Sequence, residues 1–551
     1  MSSSDDGSRE DIGILNELNR NTLTGRKNRN KRAVGGFFAG VAVLTVSNLL
    51  VKAAGLLFKI PMNLIVGDTG MGYYNSAYSV YTFFYMLATS GLPVAVSVMV
   101  SEKRSRGQIV AAKQIFRLAL LIFVLIGTAV TSLMLFGADA LAGVIRSEKS
   151  ALCVKIAAPT MLCVCVTGAL RGYFQGCGNM VPTAVSQLIE AVGKLGIGIT
   201  AALYAISRGY AIHIVAAYAV SGLTVGSLFG AVYLAAMRVM RGDRDLLCEG
   251  TEIDYGREKN GDILRRFLKI SLPVTVSASV MSLTNMIDTA MIQRILSSSM
   301  TAEEAASVYG NYTSLAVPMF NLPPVLIYPI AYALVPQVAA AVGADKKNDA
   351  ARLIENALRY TIILALPCAL GLTVLADPIL CLLYSDASAH AASPLLMMLA
   401  PSAFFVCILA VTNSVLQACG QEKKPVVSML CGALVKCVSG AMLLGRYGIA
   451  GAPLSTFLCY LTVTVLNFMF VSRVCGIRLN FHGVFLRPLI GSLLCSLTAL
   501  LVNSLLGCIP AIASAVCVYA AVVLLTGAVD MAEIRGVLGR KKQKDVIKNY
   551  E

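Results

Sequence analysis

The chain has 551 residues, of which 57% are hydrophobic and 14% charged, and its mean hydropathy is +0.72. Soluble domains carry roughly 25% charged residues, so this composition excludes an ordinary water-soluble enzyme or binding module and indicates an integral membrane protein. The net charge of +16 is therefore read against a membrane, not against nucleic acid.

An all-α membrane protein is expected. Fourteen apolar stretches approach the 20 or so residues that cross the hydrocarbon. In chain order they lie near 36–58, 73–99, 115–136, 156–173, 182–206, 211–237, 270–294, 312–335, 360–376, 394–418, 426–444, 449–472, 487–506 and 511–529. Residues 1–34 are polar and end in Arg26-Lys27-Asn28-Arg29-Asn30-Lys31-Arg32, which reads as a retained cytoplasmic tail instead of a signal peptide. With that tail inside, thirty-five Lys and Arg fall on cytoplasmic segments. Only Arg146, Lys149, Lys155, Arg208, Arg294 and Arg446 fall on outer loops. This is the positive-inside pattern of a multi-pass membrane protein with both termini cytoplasmic. The cationic balance is topological, with membrane lipids as partners and no nucleic acid.

The longest charged insertion, Arg238 to Lys269, separates six spans from the rest. Beyond it comes an internal echo. Gln175-Gly-Cys-Gly matches Gln417-Ala-Cys-Gly, and equal steps onward reach Ser186 and Ser428, then Lys194 and Lys436. Six spans per half give both halves the same orientation, hence two parallel lobes. The expected divisions are a tail at 1–34, an N-lobe at 35–240, a linker at 241–268, a C-lobe at 269–475, an extra helix pair at 476–530 and a basic tail at 531–551.

Polar groups inside a membrane are expensive and mark function. Lys52 lies about 17 residues, or roughly 25 Å, into the first span, and Lys59 follows seven residues later on the same face. Snorkelling to the interface is the plainer account of Lys59. Arg171, Gln175, Gln187 and Glu190 flank the Gly-rich turn between spans four and five. Glu190 can neutralise Lys194 one turn on. The position equivalent to Glu190 in the second half is Gly432, which leaves Lys436 without a local partner. Asp288 and Arg294, six apart, are too far round their helix to pair, so Asp288 is expected to meet a lysine from the other half, as a gate, an ion ligand or a structural bridge. Tyr74, Tyr78, Tyr81 and Tyr85 form a 4-3-4 stripe that suits helix packing or a wall for sugar rings. Pro323, Pro324 and Pro329 are expected to break span eight, and Pro273 and Pro367 to interrupt theirs.

The sixteen cysteines lie mostly within spans without metal-like spacing, and His213, His390 and His482 are scattered, so no metal site is expected. No phosphate loop is present, and the short outer loops hold no carboxylate cluster of a polysaccharide-assembling enzyme.

The run Arg171-Gly172-Tyr173-Phe174-Gln175-Gly176, with Asn179-Met180, Pro182-Thr183-Ala184, Ser186-Gln187 and Glu190, resembles the signature of the stage V sporulation protein B-like branch of polysaccharide-export proteins. So do Gly67-Asp68-Thr69-Gly70-Met71-Gly72-Tyr73-Tyr74 through Gly91-Leu92-Pro93, and Asn285-Met286-Ile287-Asp288-Thr289 with Arg294. The resemblance runs from about residue 35 to residue 530. It departs at Ser79, where proline is usual, and at Cys177-Gly178. That branch belongs with MurJ-like and Wzx-type flippases and MATE exporters. The resemblance implies the bacterial cytoplasmic membrane, a sporulation or cell-wall role, basic residues near Lys52 and Lys59 in the first helix, and a lipid-tail groove beside the last helix pair.

A flippase for an undecaprenyl-pyrophosphate-linked saccharide fits best, because Lys52, Lys194 and Lys436 outnumber Glu190 and Asp288 in the membrane. A MATE-like cation-coupled drug exporter, the alternative, should show an excess of carboxylates. The expected protein is a monomer that is not an enzyme and has no cofactor. Coupling to Na⁺ or H⁺ is open, and the cell-wall synthesis machinery is a candidate partner.

Overall fold

The computed structural model describes residues 7–526 except 243, 245, 247–255, 257, 344–345 and 476–484, with side chains described from residue 43 onward except at 45, 49, 56, 273, 277, 281, 336 and 347. The basic tails, much of the 241–268 linker and His482 lie outside the described side chains. Among the described residues all regular structure is helical, as the composition requires. The first half comprises α1 (Gly7–Thr89), α2 (Leu92–Ser105), α3 (Ile109–Phe136), α4 (Ala138–Val144), α5 (Ala151–Gly176), α6 (Val181–Ser207) and α7 (Ile212–Arg241). The second comprises α8 (Asn260–Ser299), α9 (Ala302–Asn311), a π-helical turn (Tyr312–Ala316), α10 (Val317–Phe320), α11 (Leu322–Gly343), α12 (Lys347–Val374), α13 (Ala376–Leu383), α14 (Asp386–Ala418), α15 (Lys423–Tyr447) and α16 (Gly451–Cys475). Two more helices follow, α17 (Arg487–Leu506) and α18 (Cys508–Leu525).

Twelve described stretches are long and apolar enough to cross a membrane. Two of them, Val46–Ser105 with 60 residues and Lys423–Cys475 with 53, would measure about 90 and 80 Å as straight helices. Each is far longer than the roughly 30 Å of hydrocarbon, and each has a break inside it. In α1 the break is Gly67, at φ 71° and ψ 175°, a conformation that side chains oppose and glycine tolerates. The other lies at Gly448–Ala450, between α15 and α16.

The expected first two spans left residues 59–72 between them, and the chain stays helical there apart from Gly67. The proline expectations also need correction. Pro323 and Pro324 sit in the first turn of α11, where a missing amide hydrogen costs nothing. Helices α8, α11 and α12 continue through Pro273, Pro329 and Pro367. The actual interruption near span eight is the π-helical turn and Asn321.

The two turns that echo in sequence are built alike. The amides of Gly178 and Asn179 donate to the carbonyls of Gln175 and Phe174, and those of Gly420 and Gln421 donate to Gln417 and Leu416. Both glycines have positive φ, 76° and 68°. Leucines and valines on α3, α17 and α18, such as Leu125, Leu501 and Val516, face outward as a lipid-exposed belt demands. Tyr519 of α18 donates to the Ile363 carbonyl of α12 at 2.6 Å, which docks the last pair onto the second half.

Candidate substrate cavity

Helices α6 and α7 approach backbone to backbone. A Cβ on Gly226 would come 2.8 Å from the Glu190 carbonyl oxygen, and one on Gly230 2.8 Å from the Glu190 side chain. Small residues at such crossings are how membrane helices pack closely. Beside this close seam, α6 presents Gln187, Glu190 and Lys194 to a cavity of about 630 Å³. Helix α1 supplies its other wall on both sides of the kink, with Lys52 and Phe58 before Gly67 and Tyr78, Tyr81 and Tyr85 after it. Arg171 of α5 and Tyr328 and Tyr332 of α11 complete it.

The charges inside are arranged specifically. Arg171 Nη2 pairs with Glu190 Oε1 at 2.8 Å, and Arg171 Nε donates to Ser186 Oγ at 3.0 Å. The expected Glu190–Lys194 pair is not the one formed, because Arg171 reaches across from the neighbouring helix. Lys194 Nζ instead stands 4.8 Å from the Tyr78 ring centroid and 5.0 Å from that of Phe58. Lys52 Nζ stands 3.7 Å over the Tyr328 ring. Such faces attract a cation without cancelling its charge. Oε1 of Gln187 is buried without a hydrogen-bond partner among the described residues. The tyrosine stripe is a ladder of neighbouring rings, stacked at Tyr74–Tyr78 and Tyr78–Tyr81 and tilted at Tyr81–Tyr85, with centroids 6.0, 5.5 and 5.7 Å apart.

Half of the singled-out residues lie elsewhere. Lys59 donates to the Thr313 carbonyl at 2.7 Å, within the π-helical turn. Gln175 is half-buried at the end of α5, and Arg294 is exposed on α8. Lys436 is not unpaired: it meets Asp288 at 3.1 Å, and that aspartate comes from α8 of the same half, not from the other half. The sequence reading missed Tyr328 and Tyr332, whose spacing of four on α11 was the available signal.

A polar band closes the Gly67 end between the halves. Asp68 accepts hydrogen bonds from Asn63 Nδ2 at 3.0 Å and from Ser388 Oγ of α14 at 2.7 Å. Asn75 Nδ2 donates to Ser314 Oγ at 2.5 Å. Lys149 pairs with Glu303 at 2.5 Å. At the opposite end α2 meets the start of α8 through Glu102–Arg266, and Lys103 pairs with Glu258 just before α8.

The model of the polysaccharide biosynthesis protein family matches residues 37–342, more than half of the chain. The chain belongs to that family. The MatE model matches residues 273–442. Among Bacillus subtilis proteins, Stage V sporulation protein B is 27% identical over 81% of this chain and 85% of its own length. Lipid II flippase MurJ is 23% identical over 79% and 82%. Among solved structures, "Lipid II flippase MurJ, inward closed conformation" superposes with a TM-score of 0.67 over 87% of this chain and 98% of that one, at 14% identity. An inward-facing MATE-family multidrug transporter gives 0.61 over 78% and 94%, also at 14% identity. As a member of the polysaccharide biosynthesis family, the protein is a multi-pass membrane transporter of the MOP superfamily and not an enzyme.

Proposed function

We propose that the protein flips an undecaprenyl-pyrophosphate-linked cell-wall saccharide, similar to lipid II, outward across the bacterial cytoplasmic membrane by alternating access. The observation that carries this reading is the sign of the cavity. Lys52, Arg171 and Lys194 line it against a single carboxylate, Glu190, already engaged by Arg171. A membrane cavity with surplus positive charge suits an anionic headgroup and repels an organic cation. The tyrosine ladder offers flat faces for sugar rings. The family relatives named a lipid II flippase and a sporulation protein support the substrate class.

Fourteen crossings in two parallel lobes plus the α17–α18 pair follow if Val46–Ser105 and Lys423–Cys475 each cross twice. The Gly67 end then faces outside, and its polar band is the closed outer gate. An inside-negative potential favours outward movement of negative charge by about 2.3 kcal/mol per charge per 100 mV. Depleting the protein should make one lipid-linked precursor accumulate on the inner leaflet, and identifying that precursor names the substrate. If no such precursor accumulates and sensitivity to cationic drugs rises instead, the MATE-like reading takes over.

A further inference from the structure

Outside the residues that line the cavity, one mixed set of metal-ligating side chains converges among the described residues. Asp377 and Cys381 are four apart on α13 and so share a face. His390, from the beginning of α14, folds back over them past the bend at Tyr384–Ser385. Asp377 Oδ1 lies 2.7 Å from His390 Nδ1 and Asp377 Oδ2 lies 4.0 Å from Cys381 Sγ. All three ligand atoms are within 4.8 Å of one another. Around a tetrahedral zinc ion with ligands at about 2.0–2.3 Å, neighbouring ligand atoms stand roughly 3.3–3.8 Å apart. Side-chain rotations of a few tenths of an ångström to about one ångström would bring this set to that spacing.

We propose that Asp377, Cys381 and His390 bind one divalent ion of the zinc class, with a fourth position open to solvent. Carboxylate, imidazole and thiolate form a borderline-soft donor set, whereas calcium and magnesium select oxygen alone. The ion takes the place of the proton between Asp377 and His390 Nδ1, which passes to water or to Nε2 of the same ring, and the Cys381 thiol releases its proton to water as the Sγ–metal bond forms. Entry is open, since the Asp377 and His390 side chains are 43% and 63% exposed. The bound ion ties α13 to α14. Leu375, at the start of α13, packs with Cys495 and Ala499 of α17, so the clamp bears on the seam with the last helix pair. Thirteen residues and a bend separate Asp377 from His390, which is why the histidines look scattered in the sequence.

Cobalt serves as the probe. Purified full-length protein titrated with Co²⁺ should develop a thiolate-to-cobalt charge-transfer absorption that saturates at one ion per chain and is displaced by Zn²⁺. Cys381→Ser and His390→Ala should each abolish it while melting as the wild type does without metal. Asp377→Asn gives the same reading if either variant folds poorly. A wild type without a saturable band overturns the proposal. So does a band that survives undiminished in His390→Ala, which keeps every cysteine.

Discussion

Lys194 and Lys436 each lie thirteen positions into helices that begin after matching turns, yet their surroundings give them different work. Lys436 is a buried ion pair with Asp288, so Lys436→Ala leaves a carboxylate stranded in the bundle. That substitution should cost about 3–5 kcal/mol, read as early melting in detergent. Pairing Lys436→Met with Asp288→Asn should recover most of it. Lys194 has ring faces for company instead of a carboxylate, and so should tolerate Lys194→Ala in stability while losing transport. Arg171→Ala should weaken folding unless Glu190→Gln accompanies it, because a lone buried carboxylate is the costly species. The charged residues were legible in the sequence because membrane charges are rare. Their partners were not, since Arg171–Glu190 and Lys436–Asp288 are contacts between helices, and intrahelical spacing offered Lys194 as the nearer candidate.

At the scale of elements, α1 carries the most information. Its stripe of Tyr74, Tyr78, Tyr81 and Tyr85 was legible from the 4-3-4 spacing, because helical period alone decides which side chains share a face. Between the first two expected spans, Gly72 serves close approach. A Cβ on Gly72 would fall 1.9 Å from the Ala306 carbonyl oxygen of α9. Gly72→Val should therefore push α1 off α9 and lower the melting temperature. Gly67→Ala, forced into a conformation nearly reserved for glycine, should cost about 1–3 kcal/mol. A Gly67→Ala protein that melts like the wild type would mean the kink is not required.

For the whole molecule, composition alone fixed the class, and positive residues suggested orientation, but how the halves meet could not be read from one sequence. Lys149 and Glu303, 2.5 Å apart, bridge the halves at the closed end. Cysteines at those two sites, joined by a short bis-maleimide in a background without the native cysteines, should stop transport by holding that end shut. Single labelled cysteines should not. The central claim is that surplus positive charge in the cavity carries an anionic headgroup. It is tested most directly by measuring the outer-leaflet fraction of the accumulating lipid-linked precursor in depleted cells that express Lys52→Ala/Lys194→Ala or Lys52→Arg/Lys194→Arg. With both proteins inserted at wild-type levels, the alanine pair should leave the precursor inside, and the arginine pair should restore much of the export. Full export by the alanine pair would contradict the account.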